Sequence, residues 1–175
     1  MNEVQWRGIE SPSTEVCRVT ESPGGVHVHS IIASEQHGCE YQLETTADWE
    51  FWTLSLATSD RTVQVERTAQ GWTVGGEARP DLAEAVEVDI SVSPLSNTLP
   101  IRRLGLAVGE SADIVTAYVS VPDLSVTTDP QRYTRLSDRE YLYESRDSDF
   151  QRTVTVDQDG LVLDYPGLFE RAGTA

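Results

Sequence analysis

Three histidines and two cysteines are the chain's few metal-capable nitrogen and sulfur ligands, and four of the five lie between positions 27 and 39. In Val26-His27-Val28-His29 the two imidazoles share one face of a strand, because strand side chains alternate with a period of two. The next run brings His37 and Cys39 two residues apart. Joined across a hairpin, His27, His29, His37 and Cys39 would offer the tetrahedral nitrogen and sulfur set that suits zinc. The segment between the pairs contains the apolar Ile31 and Ile32 and fixes no register, so the spacing falls short of a zinc signature. The expectation is a protein with neither metal nor other cofactor. Asp157-Gln158-Asp159-Gly160 opens like a calcium loop but lacks the closing Glu. Between Val154/Val156 and Leu161/Leu163 it reads as a hairpin turn, with Gly160 supplying positive φ.

Nucleophilic catalysis needs an activated Ser or Cys beside a base. The chain has no Gly-x-Ser-x-Gly elbow, and its histidines all fall between positions 27 and 37, so no triad is legible. Acid pairs such as Asp48/Glu50 and Asp147/Asp149 are expected on solvated faces of a chain this rich in carboxylates. Ser93-Pro94-Leu95-Ser96-Asn97-Thr98-Leu99-Pro100-Ile101-Arg102-Arg103-Leu104 carries more information. Two prolines with Asn97-Thr98 predict a turn, after which Ile101 to Leu106 re-enters a strand whose adjacent arginines point to opposite faces. The inward one of Arg102 and Arg103 must meet a carboxylate such as Asp89 or Asp164, a carbonyl, or a ligand oxyanion, because an unpaired buried charge costs several kcal/mol. Farther on, Tyr133, then Tyr141 and Tyr143, then Tyr165 set apolar bodies with hydroxyl tips along strand faces. That chemistry suits an amphipathic ligand, and equally a core whose tyrosines bond to backbone.

The elements that must position these groups follow a period of two. In Val86-Glu87-Val88-Asp89-Ile90-Ser91-Val92 the apolar residues occupy one face and the polar ones the other, the pattern of a half-buried strand. The same alternation recurs at Val26/Val28, Tyr41/Leu43, Trp52/Leu54/Leu56, Val63/Val65, Val115/Ala117/Val119, Tyr141/Tyr143, Val154/Val156 and Leu161/Leu163/Tyr165. Turn residues such as Ser22-Pro23-Gly24-Gly25 and Gly75-Gly76 separate the runs. Only Arg79 to Ala85, with Pro80 beside Asp81, suggests a helical turn. Many short antiparallel strands must curl into a barrel, roll or sandwich to hide their edges, so the expectation is a single all-β domain over residues 1–175.

The net charge is −16, from 29 acidic and 13 basic residues, and every basic residue is Arg. An acidic, Lys-free surface fits a salt-rich cytosol, where screening acts over only about 3 Å at 1 M; an arginine-favouring genome is the alternative. Such a chain is a poor partner for nucleic-acid backbones and anionic membranes. No stretch approaches the roughly 18 apolar residues of a membrane span, and the first residues hold no apolar signal core, which predicts a cytoplasmic protein with reduced Cys17 and Cys39.

Three stretches together carry a resemblance: Asn97-Thr98-Leu99-Pro100-Ile101-Arg102-Arg103-Leu104; Gln131-Arg132-Tyr133 with Tyr141-x-Tyr143-x-Ser145; and Asp159-Gly160-Leu161-Val162-x-Asp164-Tyr165-Pro166-Gly167-Leu168. In these, and in Trp6, the Trp49 to Trp52 region and Gly71-Trp72, the chain resembles the Putative glycolipid-binding family. The resemblance implies a spiral β-roll, an incomplete barrel around an apolar cavity, similar in shape to lipoprotein carriers. It implies binding or carriage of a glycolipid or similar amphiphile, with Asn97, Arg102, Arg103, Tyr133, Tyr143, Asp164 and Tyr165 as motif positions at the ligand site. An enzyme acting on a lipid or sugar conjugate through Asp164, and a protein-interaction scaffold with a filled core, are the alternatives.

Overall fold

The computed structural model describes residues 1–173. Eight strands follow one another as an antiparallel meander: β1 (Asn2–Gly8), β2 (Ser13–Ser22), β3 (Gly25–Ala33), β4 (Cys39–Thr45), β5 (Phe51–Ala57), β6 (Thr62–Thr68), β7 (Gly71–Val74) and β8 (Glu77–Ala78). After a 3-10 turn at Pro80–Leu82 come β9 (Glu87–Ile90) and the one α-helix of the described residues, α1 (Leu95–Leu104). A second meander closes the chain: β10 (Ser111–Val119), β11 (Val126–Arg135), β12 (Glu140–Ser145), β13 (Gln151–Val156), β14 (Val162–Tyr165) and β15 (Phe169–Arg171). First and last strands pair, so both meanders fuse into one open sheet of 15 strands ordered β8 to β1, then β15 to β9. Its only parallel pair is β9 with β10.

Trp6, with no exposed surface, secures the β1–β15 seam by donating its indole N–H to the Val162 carbonyl at 2.7 Å. The far ends curl towards each other. Trp72 on β7 stacks on Phe51 at 5.3 Å and donates to the Ala85 carbonyl, and Arg79 reaches the Val126 carbonyl on β11 at 2.8 Å. The roll is thereby tied across its opening without strand pairing, which leaves the all-β, incomplete barrel that the resemblance implies.

Inside the roll the structure departs from the sequence reading at one decisive place. Ile101 to Leu106 does not re-enter a strand; Leu95–Leu104 is helical and every residue from Leu95 to Ile101 is buried. A helix enclosed on all sides has no polar stripe to show as a 3.6-residue period, and Pro100 inside it reads as a breaker. Gly105, at φ 54°, ends it in the left-handed conformation. The strand before it is corrected too: Glu87 is as fully buried as Val88, because one face of β9 meets the core and the other meets α1. A bulge at Glu44/Thr45 shifts the phase of β5, so that Phe51 turns inward and Trp52, expected inward with Leu54, stands 54% exposed.

Arg103 in the last helical turn donates twice to Glu87, Nε and Nη2 each at 2.9 Å from a carboxylate oxygen, and this pair clamps α1 to β9. Burial pushes the Glu87 carboxyl upward and the guanidinium pulls it back. Arg103→Met leaves that carboxylate buried and unpaired, so urea denaturation should register a loss of about 3–5 kcal/mol, whereas the double variant Glu87→Met/Arg103→Met should recover most of it. Equal losses in both would contradict the clamp.

Candidate functional site

Four of the seven motif residues meet inside the roll. Asn97 on α1 donates its amide to the Tyr133 hydroxyl at 2.9 Å, and Tyr133 packs edge-on to Tyr143 at 5.5 Å, which packs in turn against Tyr165 at 6.2 Å. All four are buried, and burial raises the three phenols above their ordinary range. They fill the space between α1 and β11, β12 and β14.

The other three lie apart. Arg103 is consumed by Glu87, as above. Arg102 stacks over Trp49 at 4.6 Å, donates to Glu21 at 2.9 Å and to the Asp159 carbonyl at 2.8 Å, and leans on Gly160, where an added Cβ would come within 3.1 Å of its Cδ. Neither arginine pairs with Asp89 or Asp164. Asp164 is exposed on β14, opposite Thr155 and Glu170, which removes the cleft that catalysis through it would need. The four metal-type ligands are also separated. His27 and His29 point outward beside Glu44 and Glu40, at 4.0 and 2.7 Å, whereas Cys39 is inward and buried. Among the described residues no three His, Cys, Asp or Glu side chains are placed to hold a metal. Asp157 accepts from the backbone N–H groups of Asp159 and Leu161, both at 3.0 Å, which makes its segment the expected hairpin turn.

A more open pocket of about 500 Å³, lined by Arg103 and Leu104 among others, lies beside β10 and β11, and at the open end of the roll lies one of about 280 Å³. Its hydroxyls come from Ser11, Ser13, Ser34, Ser91, Tyr118 and Ser120. Ile32, Val92, Val121, Leu168 and Phe169 supply apolar wall, with Glu10 and His37 completing the lining. The residues from Glu10 to Pro12 and from Ala33 to His37 extend it outward as a wider, shallower groove.

Next to this pocket is a group that the sequence reading missed. Glu15 on β2 is directly opposite Ile32 on β3 and is only 2% exposed. Its Oε1 accepts hydroxyl hydrogen bonds from Ser30 at 2.6 Å, Tyr41 at 2.8 Å and Ser93 at 2.8 Å, while Oε2 has no partner. Desolvation raises this carboxyl to about 7, against the pull of the three hydroxyls. The available signal was phase: Glu15 alternates with Cys17 and Val19, so it occupies an inward position. A second inward acid, the half-buried Asp89, is raised to about 6 chiefly by desolvation; the Gln131 amide bridges it to Asp129 at 2.6 and 2.7 Å.

Fold and site together define a spiral, open β-roll plugged by an internal helix, with a small mixed pocket at its mouth. The profile of the Putative glycolipid-binding family matches residues 3–171, and the chain belongs to that family. It is similar to a DUF1089-family protein from Pseudomonas aeruginosa known from a crystal structure, with 35% identity and a TM-score of 0.77 over 93% of this chain and 94% of that one. No curated protein matches the sequence.

A carboxyl raised from 4.5 to about 7 on folding holds its proton more tightly in the native state. Its stabilising contribution is therefore present below pH 4.5 and is lost as pH rises through about 7. Glu15→Gln should gain about 2–3 kcal/mol on the parent protein between about pH 5 and about pH 8, measured by denaturant unfolding at each pH. A difference that stays flat with pH would mean that Glu15 titrates like a solvated acid.

Proposed function

We propose that this protein binds a glycolipid or similar amphiphile without catalysing a reaction, and that it holds the ligand by its polar head at the open end of the roll. The observation that carries the reading is the pocket's make-up: six hydroxyl-bearing side chains face one small volume whose remaining wall is mostly aliphatic and aromatic. Hydroxyls exchange hydrogen bonds with a sugar's hydroxyls, and the apolar wall receives its C–H face or the first methylenes of a chain. At about 280 Å³ the pocket is at the small end of ligand sites, which run to roughly 300–1,000 Å³. A head group fits that size better than a whole lipid. In this reading Asn97, Tyr133, Tyr143 and Tyr165 act from behind, keeping α1 seated so that the mouth holds its shape. Arg102, Arg103 and Asp164 take no part in ligand contact.

Family membership supports the ligand class, and the absence among the described residues of any helix long and apolar enough to cross a membrane agrees with a ligand brought to the protein. Free, buried Cys17 and Cys39 support a reducing compartment such as the cytoplasm. The helix-filled interior favours a second reading, an interaction scaffold that needs no small ligand.

Native mass spectrometry and organic extraction of freshly purified protein separate the two. The binding reading expects an amphiphile that co-purifies or exchanges at one per chain, and expects Val92→Trp, which fills the pocket, to release it. Protein free of any co-purifying or exchangeable amphiphile would overturn the reading and leave the scaffold.

A further inference from the structure

The pocket's lining is as informative for the groups it lacks. Neither Arg nor Lys contributes to it; Glu10 supplies a carboxylate and His37 an imidazole, and its hydroxyls are neutral. Beside it Glu15 adds a second acid; its Oε1 accepts from three hydroxyls, and among the described residues its Oε2 has no hydrogen-bond partner and no basic side chain pairs with it. A charge in a poorly solvated position projects its field farther than one in water. The net charge of −16 adds a repulsive background for any anion approaching the mouth.

Arg102, Arg103 and Arg171, three partly buried arginines of the roll, are engaged away from the pocket. Arg102 is held by Glu21 and the Asp159 carbonyl, Arg103 by Glu87, and Arg171 by Asp157 and the Val162 carbonyl. Phosphate and sulfate recognition relies on such guanidinium or ammonium groups, or on several converging backbone N–H groups. Hydroxyls suffice for a sugar.

We infer that the open-end pocket selects an uncharged sugar head and rejects phosphate- and sulfate-bearing heads. The inference rests on the head-group reading above and narrows its ligand from amphiphiles in general to neutral glycolipids. It also assigns Glu15 a role: its uncompensated carboxyl strengthens the discrimination against anions without touching the ligand.

The test is a calorimetric or NMR titration with three probes sharing one chain, n-octyl β-D-glucoside, n-octyl sulfate and n-octyl phosphate, each below its micelle concentration and near pH 8. The glucoside should bind at least about tenfold more tightly than either anion, a margin of about 1.4 kcal/mol. Ser11→Arg, which sets a cation on the exposed rim, should narrow or reverse that ratio, and Glu15→Gln should narrow it while leaving glucoside affinity within about twofold. An anionic probe that binds as tightly as the glucoside would overturn the inference and leave the head-group reading standing. If none of the three binds and no amphiphile co-purifies, the head-group reading itself fails, and the inference with it.

Discussion

The first two turns of α1, Leu95 to Ile101, have solvent on no side, so each polar group they carry has to find its partner on the chain around them. α1 meets that demand residue by residue. Ser96 accepts from the Ile90 N–H at 2.7 Å, Asn97 donates to Tyr133, and Thr98 donates to the Gly160 carbonyl at 2.9 Å. Arg102 and Arg103 finish its last turn against Asp159 and Glu87. These bonds specify where β9, β11 and the hairpin between β13 and β14 must lie. With α1 and the tyrosines inside, that part of the interior is filled by side chains.

Two buried acids and a half-buried one mark how differently one interior treats the same functional group. Glu87 has an arginine and Asp89 has an amide, whereas Glu15 has only hydroxyls. Only the first is neutralised by charge. The all-arginine set of bases has a structural account at several positions as well. Arg135 donates to the carbonyls of Leu106, Ser137 and Asp138, and Arg171 divides its donors between Val162 and Asp157. A planar fork with five donors reaches several acceptors at once, and an ammonium at the same position would leave some of those carbonyls unmet.

The strands were legible in the sequence because each keeps one face in the core, and a period of two survives any detail of packing. Legibility ended where that asymmetry ended. β9 is buried on both faces, so Glu87 and Asp89 looked solvated while facing α1. α1 is buried all round from Leu95 to Ile101 and interrupted by Pro100, so nothing periodic announced it. Trp52 was misassigned because a bulge is a one-residue slip that the alternation of β5 alone does not reveal. Of the candidate site, the Asn97 to Arg103 segment was recognised as informative, but as a turn followed by a strand from Ile101; it is a helix whose Asn97 and Arg103 brace it against β11 and β9. The pocket drew on loops between strands, whose serines have no pattern that distinguishes lining from surface. Glu15 was the one traceable omission, an acid in the inward phase of its strand.

Whether α1 is a permanent core element or a plug that yields to a lipid is the point on which the account turns, and amide hydrogen exchange at single-residue resolution measures it directly. Exchange at Thr98, Leu99 and Ile101 should proceed only through global unfolding, with protection equal to that of Val28 and Leu54 in the central strands. Helix amides that exchange far faster than those strand amides, with the sheet still protected, would show that the interior opens, and would contradict a ligand site confined to the mouth.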